Sequence, residues 1–240
     1  MDGLKKYQVA LMETIQPVLE RITEEQREEM EKVYRNHLFD LEGLKRANSD
    51  ISEEDGFKSR IFFGFTEINE TYEVLKDIEA YIRNTSHEEG EVSSVREIKY
   101  HVNSFLNEIY ILKERLIAYL NFIDKEYKRG EDYRRIRPSI EPLYKMVSSG
   151  LQNVVNTRGY HVHQRRYSDD DLDRLSTLKL LADNTEGPWD DLFRVEYLEV
   201  REKWIDRVDS SNESIETLND RYFGKLYGLL FEEEDLILPF

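Results

Sequence analysis

The densest group of chemically active side chains in this 240-residue chain lies between Gln152 and Tyr167, in the sequence QNVVNTRGYHVHQRRY. Cations, imidazoles and phenol rings alternate there: Arg158, Tyr160, His161, His163, Arg165, Arg166 and Tyr167. An arginine is always charged and grips a phosphate through two parallel N–H groups, whereas a histidine exchanges protons near neutral pH. Aromatic rings stack on nucleobases. This combination indicates either a site that handles a phosphodiester or a polar turn.

A wider cationic span surrounds this group. From Lys125 to Arg166 the chain has ten Lys and Arg residues and four Asp and Glu residues, a net charge of +6, whereas the remainder carries −22. Arg134, Arg135 and Arg137 are three of the arginines in this span. The pattern predicts a binding surface for RNA or a nucleotide, and the alternative interpretation is a solvated face that offsets acidic neighbours.

A metal site is a second interpretation of the two histidines. His161 and His163 are two positions apart and therefore share a face only in extended backbone, and the spacing fixes no third ligand. We therefore expect neither a metal nor another cofactor.

Composition limits the other classes of function. The net charge is −16, which repels nucleic acid from the chain as a whole, although a local cationic patch can still bind it. The chain has no cysteine, which excludes disulfides, thiolate metal sites and a cysteine nucleophile. It contains no apolar run of about 18 residues and begins with no signal-peptide pattern. These features predict a cytoplasmic protein with no membrane segment.

The dominant apolar period is helical throughout, and we expect one all-helical domain over residues 1–240. The first half predicts four helices. The first runs from Leu4 to about Arg21, with a bend or end near Pro17, and the second runs from Thr23 to about Arg46. The third runs from Phe57 to about Arg83, the fourth begins at a capping box formed by Ser94 and Glu97, and both have a long apolar stripe. The stripe of the fourth predicts a helix in the core of an antiparallel bundle: Val95, Ile98, Val102, Phe105, Ile109, Leu112, Leu116, Tyr119 and Ile123.

The second half predicts the elements that position the cationic residues. Tyr127 to Pro138 reads as a cationic loop, followed by a short helix from Ile140 to about Asn156. Ser168 and the three aspartates after it predict a helix start, with an end near Ala182. Trp189 to about Phe231 predicts one long helix or two, with a break at Asp209 to Asn212 in the second case.

The spacing from Arg158 to His163, Arg-x-x-x-x-His, resembles the signature of the HEPN superfamily, as does its position in NTRGYHVHQRRY before a capped helix. That family consists of all-helical bundles, and many members are metal-independent ribonucleases. The resemblance implies an antiparallel bundle with additional helices, and a homodimer whose two protomers bring the motif together. It also implies that His163 is the general acid or base and that Arg158 holds the phosphate.

Two features distinguish this chain from the usual signature. Gly159 follows the arginine where the family has a polar residue, and His161 is an additional imidazole. Arg96 and His101 repeat the spacing inside the long apolar-striped helix, where positions five apart point about 140° from each other, so we interpret that pair as helix surface. Two functions therefore remain open: a metal-independent endoribonuclease, or a non-catalytic helical module that binds protein partners.

Overall fold

A computed structural model of the chain describes residues 2–21, 52–87, 93–128, 130, 133–151 and 169–240. Six helices and one small hairpin occupy these residues: α1 Gly3–Arg21, α2 Glu53–Arg83, α3 Ser94–Tyr127, α4 Tyr133–Gly150, α5 Asp170–Asn184, α6 Trp189–Leu230, β1 Phe231–Glu232 and β2 Asp235–Leu236. The prediction of an all-α protein is confirmed. The predicted helix from Thr23 to Arg46 lies outside the described residues.

The chain groups into two compact units. The first comprises Met1–Glu67, Phe122–Ser139 and Asp220–Phe240, and the second comprises Ile68–Asn121 and Ile140–Asn219. The expectation of one domain over residues 1–240 stays a prediction. No helix within the described ranges is both long enough and apolar enough to cross a membrane.

Aromatic rings form the centre of the first unit. Tyr7 of α1 is fully buried, with its ring centroid 5.7 Å from Phe65, 5.1 Å from Phe223 and 5.8 Å from Phe231. Gly3 lets the start of α1 approach α6 closely, since a Cβ atom there would lie 2.4 Å from the carbonyl oxygen of Asp220. The helical period of the apolar residues thus buries one face of each helix in a shared core.

The stripe of α3 is buried along its whole length, as predicted. All nine of its residues from Val95 to Ile123 have at most 4% of their surface exposed. The buried residues of the second unit also include Leu75 of α2, Leu172 of α5 and Tyr197 of α6. Because these apolar residues are buried, α3 cannot present its stripe to a protein partner.

The predicted cationic loop from Tyr127 to Pro138 is wrong over most of its length, because α4 already begins at Tyr133. A proline inside a helix removes a hydrogen bond, which is why Pro138 suggested that the helix starts after it. The buried stripe of α4 begins before that proline, with Ile136, Ile140 and Leu143 each at most 2% exposed. Burial of this stripe offsets the lost hydrogen bond. The helix also ends at Gly150 rather than near Asn156.

The helix starts differ by one residue from the predicted caps. The carbonyl of Ser93 accepts the first helical bond of α3 from the N–H of Glu97 at 3.0 Å, and the hydroxyl of Ser94 is buried without a hydrogen-bond partner among the described residues. In α5 the N-cap is Asp169, not Ser168. A carboxylate accepts the free N–H groups of a first turn as well as a hydroxyl does, and its charge also favours the helix dipole.

Helix α6 is continuous over 42 residues, so the break considered at Asp209 to Asn212 does not occur. The hydroxyl of Ser211 donates to the carbonyl of Arg207 at 2.8 Å, and the amide of Asn212 donates to the carbonyl of Leu75 at 3.2 Å. These polar side chains therefore bond in ways that are compatible with the helix instead of competing with it.

Candidate nucleic-acid interface

The two predicted catalytic residues, Arg158 and His163, and the predicted binding residues next to them lie outside the described part of the chain. They fall between positions 152 and 168: Arg158, Tyr160, His161, His163, Arg165, Arg166 and Tyr167. The convergence of Arg158 and His163 therefore stays a prediction, as does the homodimer.

Two described residues that flank this part of the sequence contact α6. A Cβ atom on Gly150, the last residue of α4, would lie 2.9 Å from Cδ1 of Leu218. The carboxylate of Asp169, the N-cap of α5, accepts a bond from the guanidinium of Arg207 at 3.2 Å. Leu218 and Arg207 are eleven positions apart on α6, about 16 Å at 1.5 Å per residue.

The start of α5 is fixed by charged contacts as well as by its cap. Asp169 accepts from the N–H groups of Asp171 and Leu172 at 3.1 and 3.2 Å. The side chain of Asp171 is only 14% exposed and accepts from the ammonium of Lys203, and the guanidinium groups of Arg174 and Arg207 each lie 3.6 Å from it. The hydrogen bond from Lys203 is the main reason why the pKa of Asp171 lies below its ordinary value of 3.8.

Replacing Asp171 with Asn should lower the free energy of unfolding at pH 7 by about 1 kcal/mol, the upper end for an ion pair near the surface. Because the pKa is lowered in the folded state, this stabilisation is present above the ordinary value of 3.8 and is lost as the pH falls below it. Thermal melts of wild type and variant should therefore differ by a few degrees at pH 7 and converge near pH 3.

Asp170→Asn is the matched control. Asp170 lies in the same first turn but is exposed and makes no ion pair with a described residue. An equal loss of stability in both variants would mean that the helix dipole, not the contact with Lys203, is responsible.

Five exposed cations lie where α3 ends and α4 begins, and we name them the cationic patch: Lys125, Lys128, Arg134, Arg135 and Arg137. The three arginines predicted as RNA-binding residues are thus exposed as expected, on a helix rather than a loop. Arg135 donates to the carbonyl of Leu229 at 3.4 Å, and the guanidinium of Arg137 lies 5.7 Å from the ring centroid of Tyr133. Lys125, Lys128, Arg134 and Arg137 make no ion pair with any described residue.

The backbone beneath the cationic patch is held by the C-terminal residues. The hydroxyl of Tyr127 donates to the carbonyl of Ile237, and a Cβ atom on Gly130 would lie 2.4 Å from the carbonyl oxygen of Pro239. Tyr127 itself is fully buried, and its ring packs 5.8 Å from Phe57. The cationic patch therefore lies on the end of α3 and the start of α4, and these contacts hold the backbone there in place. A binding surface requires such a rigid support.

Arg96 and His101, which repeat the Arg-x-x-x-x-His spacing, both lie within the described residues. Arg96 is exposed in the first turn of α3, as predicted for helix surface. His101 is half-buried, stacks on Tyr81 at 5.6 Å and contacts Tyr100 edge-on at 5.5 Å. Burial lowers the pKa of His101 below its ordinary 6.5, so the imidazole is neutral at pH 7. The stack with Tyr81 joins two helices, and no local sequence signal indicates it.

No group of three or more potential metal ligands occurs within the described ranges. The histidines at 161 and 163 are outside those ranges, and the expectation that they bind no metal stays a prediction. Comparisons of the chain with protein-family models, with curated protein sequences and with solved structures found no match in any of the three.

Proposed function

We propose that this protein binds RNA or a nucleotide through the cationic patch and cleaves RNA without a metal, with Arg158 and His163 as the reacting groups. The observation behind the proposal is that four exposed cations of the patch, Lys125, Lys128, Arg134 and Arg137, have no acidic partner among the described residues. The all-helical fold agrees with the resemblance to the HEPN superfamily. The bundle arrangement and dimer of that family are part of the proposal.

Several cations elsewhere in the described ranges are paired with carboxylates, whereas Lys125, Lys128, Arg134 and Arg137 are close together in the chain and are not. Arg60, for example, pairs with Glu126 at 3.2 Å, and Arg21 pairs with Asp55 at 2.6 Å. Exposed cations without an acidic partner are available to neutralise the phosphates of RNA. Each phosphate contact releases counterions that were condensed on the RNA. This release favours binding, and nucleic-acid affinity therefore depends on salt.

The proposed chemistry divides between two side chains. His163 removes the proton from a ribose 2′-hydroxyl or protonates the leaving oxygen, and Arg158 holds the phosphate as negative charge builds on its oxygens. The two protomers of a homodimer would each supply one motif. Arg165, Arg166, Tyr160 and Tyr167 would bind neighbouring phosphates and bases.

Charge reversal within the patch should weaken RNA binding strongly. Four phosphate contacts to single-stranded RNA predict a slope of about −3 for log affinity against log salt, from about −0.7 per contact. Arg134→Glu combined with Arg137→Glu removes two contacts, so the slope should fall by about 1.4 and the affinity at low salt by at least about tenfold. Fluorescence anisotropy with a labelled 20-nucleotide RNA at several salt concentrations measures both quantities.

Lys76→Glu combined with Lys145→Glu is the matched control, because it changes net charge equally at two exposed cations that already pair with Glu73 and Glu141. This control should bind nearly as well as wild type. Equal losses in both double variants would assign binding to overall charge. If wild type does not bind RNA even at low salt, the alternative of a helical protein-interaction module replaces this proposal.

A further inference from the structure

Helix α6 has an apolar set on the face directed away from the core. Leu192, Val195 and Leu198 are 46%, 56% and 37% exposed. On the opposite side of the same turns Phe193, Tyr197, Val200 and Trp204 are buried. At 100° per residue, the centre of the exposed set lies roughly 170° from the centre of the buried set. These three aliphatic residues therefore take no part in the core of the second unit.

The charges around this apolar set are mostly negative. Asp191, Glu199 and Asp206 lie on the same side of the helix and make no ion pair with a described residue, and Glu202 pairs with Arg201 at 3.1 Å. Two exposed cations lie at the edges of this side: Arg194, and Lys203, which pairs with Asp171. We name Leu192, Val195, Leu198, Asp191, Glu199 and Asp206 the acidic face of α6.

We propose that the acidic face of α6 docks a cationic amphipathic helix of a protein partner. The apolar residues recur every three positions, which is the spacing that meets the i, i+3, i+4 positions of a partner helix. The three carboxylates beside them complement Lys and Arg residues that flank the apolar stripe of such a helix. Burial of Leu192, Val195 and Leu198 against the partner helix contributes most of the affinity, and the carboxylates determine the specificity for a cationic partner.

Charge also decides against the other occupants. Two copies of this chain that met through this face would bring their carboxylate rows together, which costs free energy. RNA and anionic lipid surfaces are repelled by the same rows. A cationic peptide gains from both the apolar and the charged residues.

The test uses a labelled 14-residue peptide of Leu and Lys with its leucines at i, i+3, i+4 and i+7, and an isomer with the same composition in scrambled order. Anisotropy with the full chain should show one-to-one binding of the amphipathic peptide, at least about tenfold tighter than the isomer. Leu192→Ser combined with Val195→Ser should weaken binding at least about tenfold, and so should Glu199→Lys combined with Asp206→Lys.

Leu180→Ser is the matched control, since Leu180 is 64% exposed on α5 and lies outside the acidic face of α6. It should leave peptide binding unchanged. Equal affinity for peptide and isomer, or equal loss in the control, would overturn the proposal in favour of nonspecific charge attraction. A dimer that the Leu192 and Val195 variant converts to monomer would assign the face to a second copy. A melting temperature that falls by several degrees in that variant would show that the chain covers the face itself.

Discussion

Replacing His163 with Ala should lower the cleavage of single-stranded RNA by roughly 10²–10⁴-fold, the usual contribution of a general acid or base. The loss should appear in the rate constant of a single turnover at saturating protein, because the substitution removes proton transfer and leaves the cationic patch intact. Circular dichroism should be unchanged. The measurement is the decay of a labelled RNA on a denaturing gel.

Three companion measurements locate the chemistry. His161→Ala should have a small effect, and a large one would assign the proton transfer to His161 instead. Arg158→Lys should also reduce the rate strongly, because an ammonium keeps the charge but loses the bidentate grip on phosphate. EDTA should not change the rate of a reaction that needs no metal, whereas a metal site at His161 and His163 would be inactivated.

The proposed catalytic site also requires two copies of the chain. Light scattering should report about twice the mass of 28.7 kDa. A strict monomer that still cleaves RNA would retain the roles of Arg158 and His163 but exclude a composite site. If the wild-type protein binds RNA and cleaves none, the cationic patch is a binding surface and the nuclease proposal fails.

Replacing Phe223 with Ala should lower the free energy of unfolding by about 3–5 kcal/mol, the range for truncating a buried phenylalanine. Phe223 is 1% exposed, and its ring centroid lies 5.1 Å from Tyr7, 5.2 Å from Phe65 and 4.9 Å from Tyr222. The cavity removes contacts with three rings at once, and these rings come from three helices. Urea denaturation followed by far-UV circular dichroism measures the loss.

Leu180→Ala is the control for this substitution. Leu180 is 64% exposed, so its truncation should change the free energy of unfolding by less than about 0.5 kcal/mol. Phe223→Leu fills part of the cavity and should lose less than Phe223→Ala. Similar stability in all three variants would mean that the aromatic cluster around Tyr7 does not stabilise the first unit.

Local periodicity was sufficient to predict which faces are buried. Every member of the predicted α3 stripe is buried, as are Ile61, Phe65 and Ile68 of the predicted α2 stripe. The reason is that a helix places residues three and four apart on one side, so the pattern of apolar residues alone fixes the face that packs. Arg134, Arg135 and Arg137 are exposed as predicted, although the sequence placed them in a loop. In α4 they lie off the buried stripe that contains Ile136, Ile140 and Leu143.

Helix boundaries depended on competition between local and tertiary effects. Pro138 disfavours a helix through its position, and Asp209 to Asn212 favour a break. In the structure burial of Ile136 and the bond from Asn212 to the carbonyl of Leu75 outweigh those preferences. Their partners are distant in sequence, so no window of the chain contains the information.

The sequence by itself therefore determined the all-helical class, the buried faces and the choice of Arg158 and His163 as candidate reacting groups. Only the tertiary structure decided that Gly150 and Asp169 contact α6, at Leu218 and Arg207, and that Lys203 contacts Asp171. Only the tertiary structure likewise shows that Leu192, Val195 and Leu198 face away from the core. The spacing of apolar residues shows which face of a helix can pack against another helix. Which helix it packs against depends on contacts between residues far apart in the chain, and these the local pattern does not contain.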